Sequence, residues 1–290
     1  DRPVYDRPWL TIALIVGCTG VFIATGLYER SAEDEMSTAA TRIEALHYQH
    51  PNARITFEVN GMPPEIGNAV SPLIDTNPSR PPALGDRELG AAMIALVSGM
   101  NHHPILRLGY RPGAPTFSGA VAYMFMHGGL FHLVGNMLFL WVAGGVLECF
   151  WRRWAFVLLY LGSGAIGLLA HHLSAPSSLA PLVGASAAVA GLIGAYGVSY
   201  PKSKIRLGYL LLIPPKAGSL LVPAWLVIPL WGASQLAYAL LFPNDGVAYW
   251  AHVGGFTFGV VVGVISRAMG WIAVDDGHQM SPPPEEPYPQ

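Results

Sequence analysis

A few polar side chains fall inside long apolar runs, where an unsatisfied polar group costs free energy. Ser186 sits in LVGASAAVAGLIGAYG, His252 in AHVGGFTFG, and His127, His132 and Asn136 in HGGLFHLVGN. A serine hydroxyl becomes a nucleophile when an imidazole can take its proton. An amide or imidazole aimed at the developing charge then stabilises the resulting oxyanion. His132 and Asn136 are four residues apart, so on a helix they share one face and can reach one centre. Taken singly, each residue has a plainer reading. A serine in a span bonds back to its own helix, a histidine is a packing donor, and Asn136 ties helices together. Ser186 and His252, however, are each expected about 6 to 8 Å inside the outer start of their helix, at one depth.

The chain that must position these groups has 290 residues, 52% of them hydrophobic and 12% charged, with a positive mean hydropathy, a composition that marks a membrane protein. Crossing a hydrocarbon core of about 30 Å takes roughly 20 apolar residues as helix. Six windows meet that need: Trp9 to Tyr28, Gly128 to Leu147, Trp154 to Leu173, Leu182 to Tyr200, Leu220 to Phe242 and Val247 to Ile265. The fifth contains Pro223 and Pro229, which a packed membrane helix tolerates. The expected fold is therefore all-α, a polytopic bundle of six transmembrane helices with an extracytoplasmic insertion between the first and second. Small residues at Gly184, Ala187, Gly191 and Gly194 on the fourth helix, and at Gly255, Gly259 and Gly263 on the sixth, let those two backbones approach closely. A Ser186–His252 hydrogen bond requires that approach.

Lysine and arginine favour cytoplasmic loops. Arg152 and Arg153 follow the second span, and Lys202, Lys204, Arg206 and Lys216 follow the fourth, whereas HHLSAPSSLAP and PND carry neither residue. Both termini are thus expected in the cytoplasm, and a bacterial inner membrane is the expected location. The expected division is 1–28 for a cytoplasmic stub and first helix, 29–116 for the outer insertion, 117–268 for the catalytic core and 269–290 for a disordered tail ending in MSPPPEEPYPQ. The chain begins at Asp1 rather than Met, which implies truncation or processing.

Within the insertion, the acidic start of SAEDEMSTAATRIEALHYQH, followed by Ile43, Leu46 and His47, predicts an amphipathic helix. A short strand, RITFEV, a Pro- and Gly-rich loop and a second helix from Asp86 to about Asn101 are expected after it. His102-His103 are adjacent, diverge on a helix and have no third ligand near them in the sequence, so no metal is expected. Cys18 and Cys149 read as packing residues. With a formal net charge of -2 and no basic patch, nucleic acid is not an expected partner; a lipid bilayer is.

HGGLFHLVGN, GAS followed by small residues, and AHVGGFTFG, in that order, make the stretch from Ala122 to Arg267 resemble the rhomboid intramembrane serine proteases. The resemblance implies Ser186 as nucleophile, His252 as its base, His132 and Asn136 at the oxyanion, and Gly191, Gly255 and Gly259 as helix-packing positions. It also implies membrane-anchored protein substrates cut near the outer boundary of their transmembrane segment. From Pro112 to Gly270 the only acidic residues are Glu148 and Asp245, neither suitably placed to orient His252. That favours a Ser-His dyad over a triad, with no cofactor.

Three positions depart from the family pattern. Ala187 follows the serine where the family often has glycine, though the backbone N–H survives the change. Ala190 stands where an aromatic ring often supports the histidine, so support for His252 must come from elsewhere. Ser118-Gly119 replace a Trp-Arg pair often found before the second helix. Two other functions would suit such a chain: an inactive relative that holds transmembrane clients, and a small-solute transporter. Retention of both Ser186 and His252 argues against the first. A polar cluster near one face rather than at the midplane argues against the second.

Overall fold

The computed structural model describes residues 7–55, 73–75, 77, 81, 83–212, 215–242 and 245–270. The expected tail beyond Gly270, most of the RITFEV strand after Ile55 and most of the Pro- and Gly-rich loop lie outside the described residues. The helices are α1 (Trp9–Gln49), α2 (Asp86–His102), α3 (Pro104–Leu108), α4 (Phe117–Ala122), α5 (Leu130–Phe150), α6 (Arg153–Ser174), α7 (Ser186–Ser199), α8 (Ala224–Leu241) and α9 (Tyr249–Ala268). A two-stranded antiparallel sheet, β1 (Lys204–Leu212) and β2 (Pro215–Pro223), joins α7 to α8. Among the described residues, α1, α5, α6, α8 and α9 are long and apolar enough to cross a membrane. The protein is an integral, multi-pass membrane protein, and its described residues are mostly helical.

The sixth expected span is shorter than its window. Leu182 to Tyr200 reads as one apolar run, but only Ser186–Ser199, 14 residues, is helical. Leu182 is held extended by reciprocal bonds with Tyr110: Tyr110 N–H donates to the Leu182 carbonyl at 3.0 Å, and Leu182 N–H to the Tyr110 carbonyl at 2.7 Å. Gly184 then takes a φ of 120° that no L side chain favours. The fifth span also starts later than expected. Leu220 to Pro223 belong to β2, and Pro223, lacking an N–H, caps α8 rather than lying within it, while Pro229 is inside the helix. The first span continues through Tyr28 without a break, so the two helices expected there form the single 41-residue α1.

The chain divides into two compact units. One comprises Asp1–Ile12, Leu138–His171 and Ser186–Gln290. In it α7 and α9 pack backbone to backbone: a Cβ added at Gly255 would collide with the Ala187 carbonyl oxygen, and one at Gly259 with that of Gly191. The Arg267 guanidinium donates to the Val198 carbonyl at 3.2 Å, satisfying an acceptor near the end of α7. The sheet pairs Ile205 with Val222 and Leu207 with Leu220 on one side, and Arg206 with Leu221 on the other.

Glu148 ties the start of α1 into this unit. Its side chain is fully buried, and its two oxygens accept the Leu10 and Thr11 N–H groups at 2.8 and 2.7 Å. These N–H groups sit in the first turn of α1, where no intrahelical partner exists. The carboxylate also meets the positive end of the helix dipole. Glu148→Ala strips both acceptors and is expected to cost about 1–3 kcal/mol. A lowered thermal unfolding midpoint in detergent is the readout, and Glu148→Gln, which keeps one oxygen, should lose less.

The other unit comprises Ala13–Met137 and His172–Ala185. Leu46, Ala53, Ile55, Leu89, Ala92 and Met93 form its buried cluster, with Ile43 packed against it, whereas His47 is exposed. A Cβ on Gly99 would lie 2.7 Å from Met36 Cγ, so α2 lies tight against α1. Asp86 stabilises the entry to α2, its oxygens accepting the Arg54 and Ala83 N–H groups, each at 2.8 Å. Thr116 caps α4 by accepting the Gly119 N–H at 3.1 Å. A Cβ at Gly119 would lie 2.8 Å from Thr116 Oγ1 and 3.1 Å from the Gly109 carbonyl oxygen. This packing accounts for a small residue at that position.

Candidate active site

Ser186 is the first residue of α7 and His252 the fourth of α9. The hydroxyl therefore stands at a helix N-terminus, not the expected 6 to 8 Å inside it, because Leu182 to Ala185 are not helical. The glycine contacts that let α7 and α9 touch bring the two side chains together: His252 Nε2 and Ser186 Oγ are 2.9 Å apart. Both residues are half-buried. On the other side of the ring, His252 Nδ1 is 2.9 Å from Gln235 Oε1, on α8. Gln235 is 9% exposed, and its Nε2 donates to Ser234 Oγ at 3.2 Å. The amide is thereby oriented with its oxygen toward the histidine.

An amide oxygen can only accept, so Nδ1 carries the ring proton of a neutral His252. Nε2 is then the acceptor, and the Ser186 hydroxyl donates to it. This is the protonation state of a general base poised on a nucleophile. Ala190 is fully buried and supplies no ring. An aromatic contact comes instead from Tyr249, whose ring lies edge-on to His252 at 6.1 Å and 87°. Tyr249 stacks on Tyr238 at 5.3 Å, and its hydroxyl donates to Asp245 Oδ2 at 2.8 Å. Sequence reasoning missed Gln235 and Tyr249. A signal for Gln235 was present, since it is an amide inside an apolar span, LWGASQLAYALL, where a buried polar group needs a partner.

His132 and Asn136 lie one turn apart on α5, in the second unit. Asn136 is 6% exposed and donates from Nδ2 to the His132 carbonyl at 3.0 Å. A Cβ on Gly184 would lie 2.7 Å from both Cε1 and Nε2 of His132 and 3.6 Å from Asn136 Nδ2. Gly184, two residues before Ser186 in the chain, is thus required to be glycine twice over, by its φ and by the imidazole against it. Its N–H donates to the Tyr123 carbonyl at 2.8 Å. His127, just ahead of α5, is 1% exposed and edge-on to His132 at 5.3 Å. Burial, reinforced by the neighbouring His132, pushes the His127 imidazole down to about 4, so it is neutral at physiological pH. His103, of the adjacent pair in the sequence, faces Glu33 at 3.9 Å.

A family model for the rhomboid domain matches residues 115–268. The chain is 32% identical over 149 residues to Rhomboid-related protein 2 of Mus musculus, which takes in 49% of this chain and 46% of that protein. It is 33% identical over 150 residues to Rhomboid protein 1, mitochondrial, of Saccharomyces cerevisiae, 50% of this chain and 41% of the relative. It is 33% identical over 163 residues to RHOMBOID-like protein 4 of Arabidopsis thaliana, 54% and 36% respectively. The match therefore spans less than half the length of each of these curated relatives.

Proposed function

The chain belongs to the rhomboid family, and from that premise we propose that it is an intramembrane serine endopeptidase that cleaves membrane-anchored proteins near the outer boundary of their transmembrane segment. The observation that carries this reading is the 2.9 Å contact between His252 Nε2 and Ser186 Oγ. His252 takes the hydroxyl proton as Ser186 Oγ attacks the scissile carbonyl, then returns it to the leaving amine. Water, activated by the same imidazole, releases the acyl group. Stabilisation of the oxyanion falls to the Ser186 N–H, at the positive end of α7, and to the side chains of His132 and Asn136. An intact Ser-His pair disfavours the alternative of an inactive client-binding relative. The test is incubation of the purified protein with a transmembrane reporter: a single cut near the reporter's outer boundary supports the proposal, and an uncut reporter overturns it.

The loop charges support an orientation with both termini in the cytoplasm. The curated relatives are eukaryotic, one of them mitochondrial by name, and do not argue for a bacterial membrane. A cysteine introduced at Ser177 should react with an impermeant thiol reagent added outside intact cells, and one at Ser203 should not. The reverse pattern would invert the topology.

A further inference from the structure

We propose that Gln235 is a positioning residue for His252, the third member of a hydrogen-bonded Ser186–His252–Gln235 array in which a neutral amide takes the place of an orienting carboxylate. The inference rests on the peptidase reading above. Three observations carry it. The Gln235 oxygen lies 2.9 Å from His252 Nδ1. Its Nε2 donates one hydrogen to Ser234 Oγ at 3.2 Å, and that hydroxyl itself donates to the Trp231 carbonyl at 2.7 Å, so the amide is oriented in that sense. Gln235 is also 9% exposed, within a helix long and apolar enough to cross a membrane, where its polar ends require partners.

The consequence for the reaction is a choice of tautomer. A neutral imidazole left to itself can protonate either nitrogen, and with the proton on Nε2 it cannot accept from Ser186. The Gln235 oxygen selects Nδ1–H and fixes the ring plane, leaving the Nε2 lone pair on Ser186 Oγ. When the imidazolium forms, the same oxygen still accepts from Nδ1–H, and no buried carboxylate is needed on this apolar helix. The residue also answers the lack of an aromatic ring at Ala190, since it holds by a hydrogen bond what stacking would otherwise hold.

The test uses the full chain in detergent. Gln235→Leu keeps the bulk and removes the acceptor. It should lower kcat about tenfold to a hundredfold with KM little changed, a smaller loss than the roughly ten-thousandfold seen when the orienting carboxylate of a Ser-His-Asp triad is replaced. Gln235→Glu, which restores an oxygen at the same reach, should recover most of that loss. Nitrogen NMR of histidine-labelled protein, run on the Ser186→Ala background, should show His252 protonated on Nδ1 with Gln235 present and a mixture of tautomers in Gln235→Leu. Wild-type kcat in Gln235→Leu, or an Nε2–H tautomer with Gln235 intact, would overturn the proposal. The NMR arm needs no turnover, so loss of the peptidase reading and loss of the Gln235 role remain separate results.

Discussion

Ser186→Ala and His252→Ala are each expected to abolish cleavage of a transmembrane reporter while leaving the protein folded. Nucleophile and base act as one unit, so losing either should cost nearly as much as losing both, on the order of a millionfold in kcat in a comparable serine peptidase. Neither side chain is fully buried, and alanine at position 186 keeps a good helix former at the start of α7. Thermal unfolding midpoints close to wild type are therefore expected. The double variant should be no worse than either single one, and this non-additivity identifies a shared step. Near-wild-type turnover by purified Ser186→Ala would remove Ser186 from the chemistry.

Asn136→Ala is expected to lower kcat about a hundredfold to a thousandfold, the usual loss when an oxyanion donor is deleted. One hydrogen of the carboxamide nitrogen is engaged with the His132 carbonyl at 3.0 Å; in the mechanism proposed above, the second serves a charge that exists only after Ser186 has attacked. The dissociation constant of a substrate, measured on the Ser186→Ala background, should then hardly change. An Asn136 that merely braced α5 would behave otherwise: the variant would unfold at lower temperature, and its folded fraction would turn over at the normal rate.

The pairing of Ser186 with His252 was legible in the sequence because a serine and a histidine inside apolar runs need partners, and because glycines at 191, 255 and 259 mark helices that can touch. The start of α7 was not. LVGASAAVAG is uniformly small or aliphatic, and nothing in it reports that Leu182 pairs with Tyr110, 72 residues earlier, before the helix begins. For α1 the misreading ran the other way: the acidic cluster after Tyr28 looks like a fresh helix start, yet the chain simply continues. KIRLGYLLL reads as a charged loop and LLVP, Leu220 to Pro223, as the head of a helix, because apolar runs of strand and helix look alike when short. Pro223 and its missing N–H were the available clue. Gln235 was passed over for a different reason: its partner lies on another helix, 17 residues further on, and only the packing of α8 on α9 brings them together.

The bond between Glu148 and the first turn of α1 also sets a timetable for biogenesis. Its two halves are 138 and 137 residues apart, and the intervening chain holds the whole second unit except His172–Ala185. At about 5–20 residues per second of synthesis, the start of α1 must wait on the order of ten seconds or more for its carboxylate partner to emerge. Throughout that interval the Leu10 and Thr11 amides depend on water or lipid headgroups. Ribosome-stalled chains that stop short of Glu148 should therefore show fast amide exchange at these two residues, and chains extended past it should not.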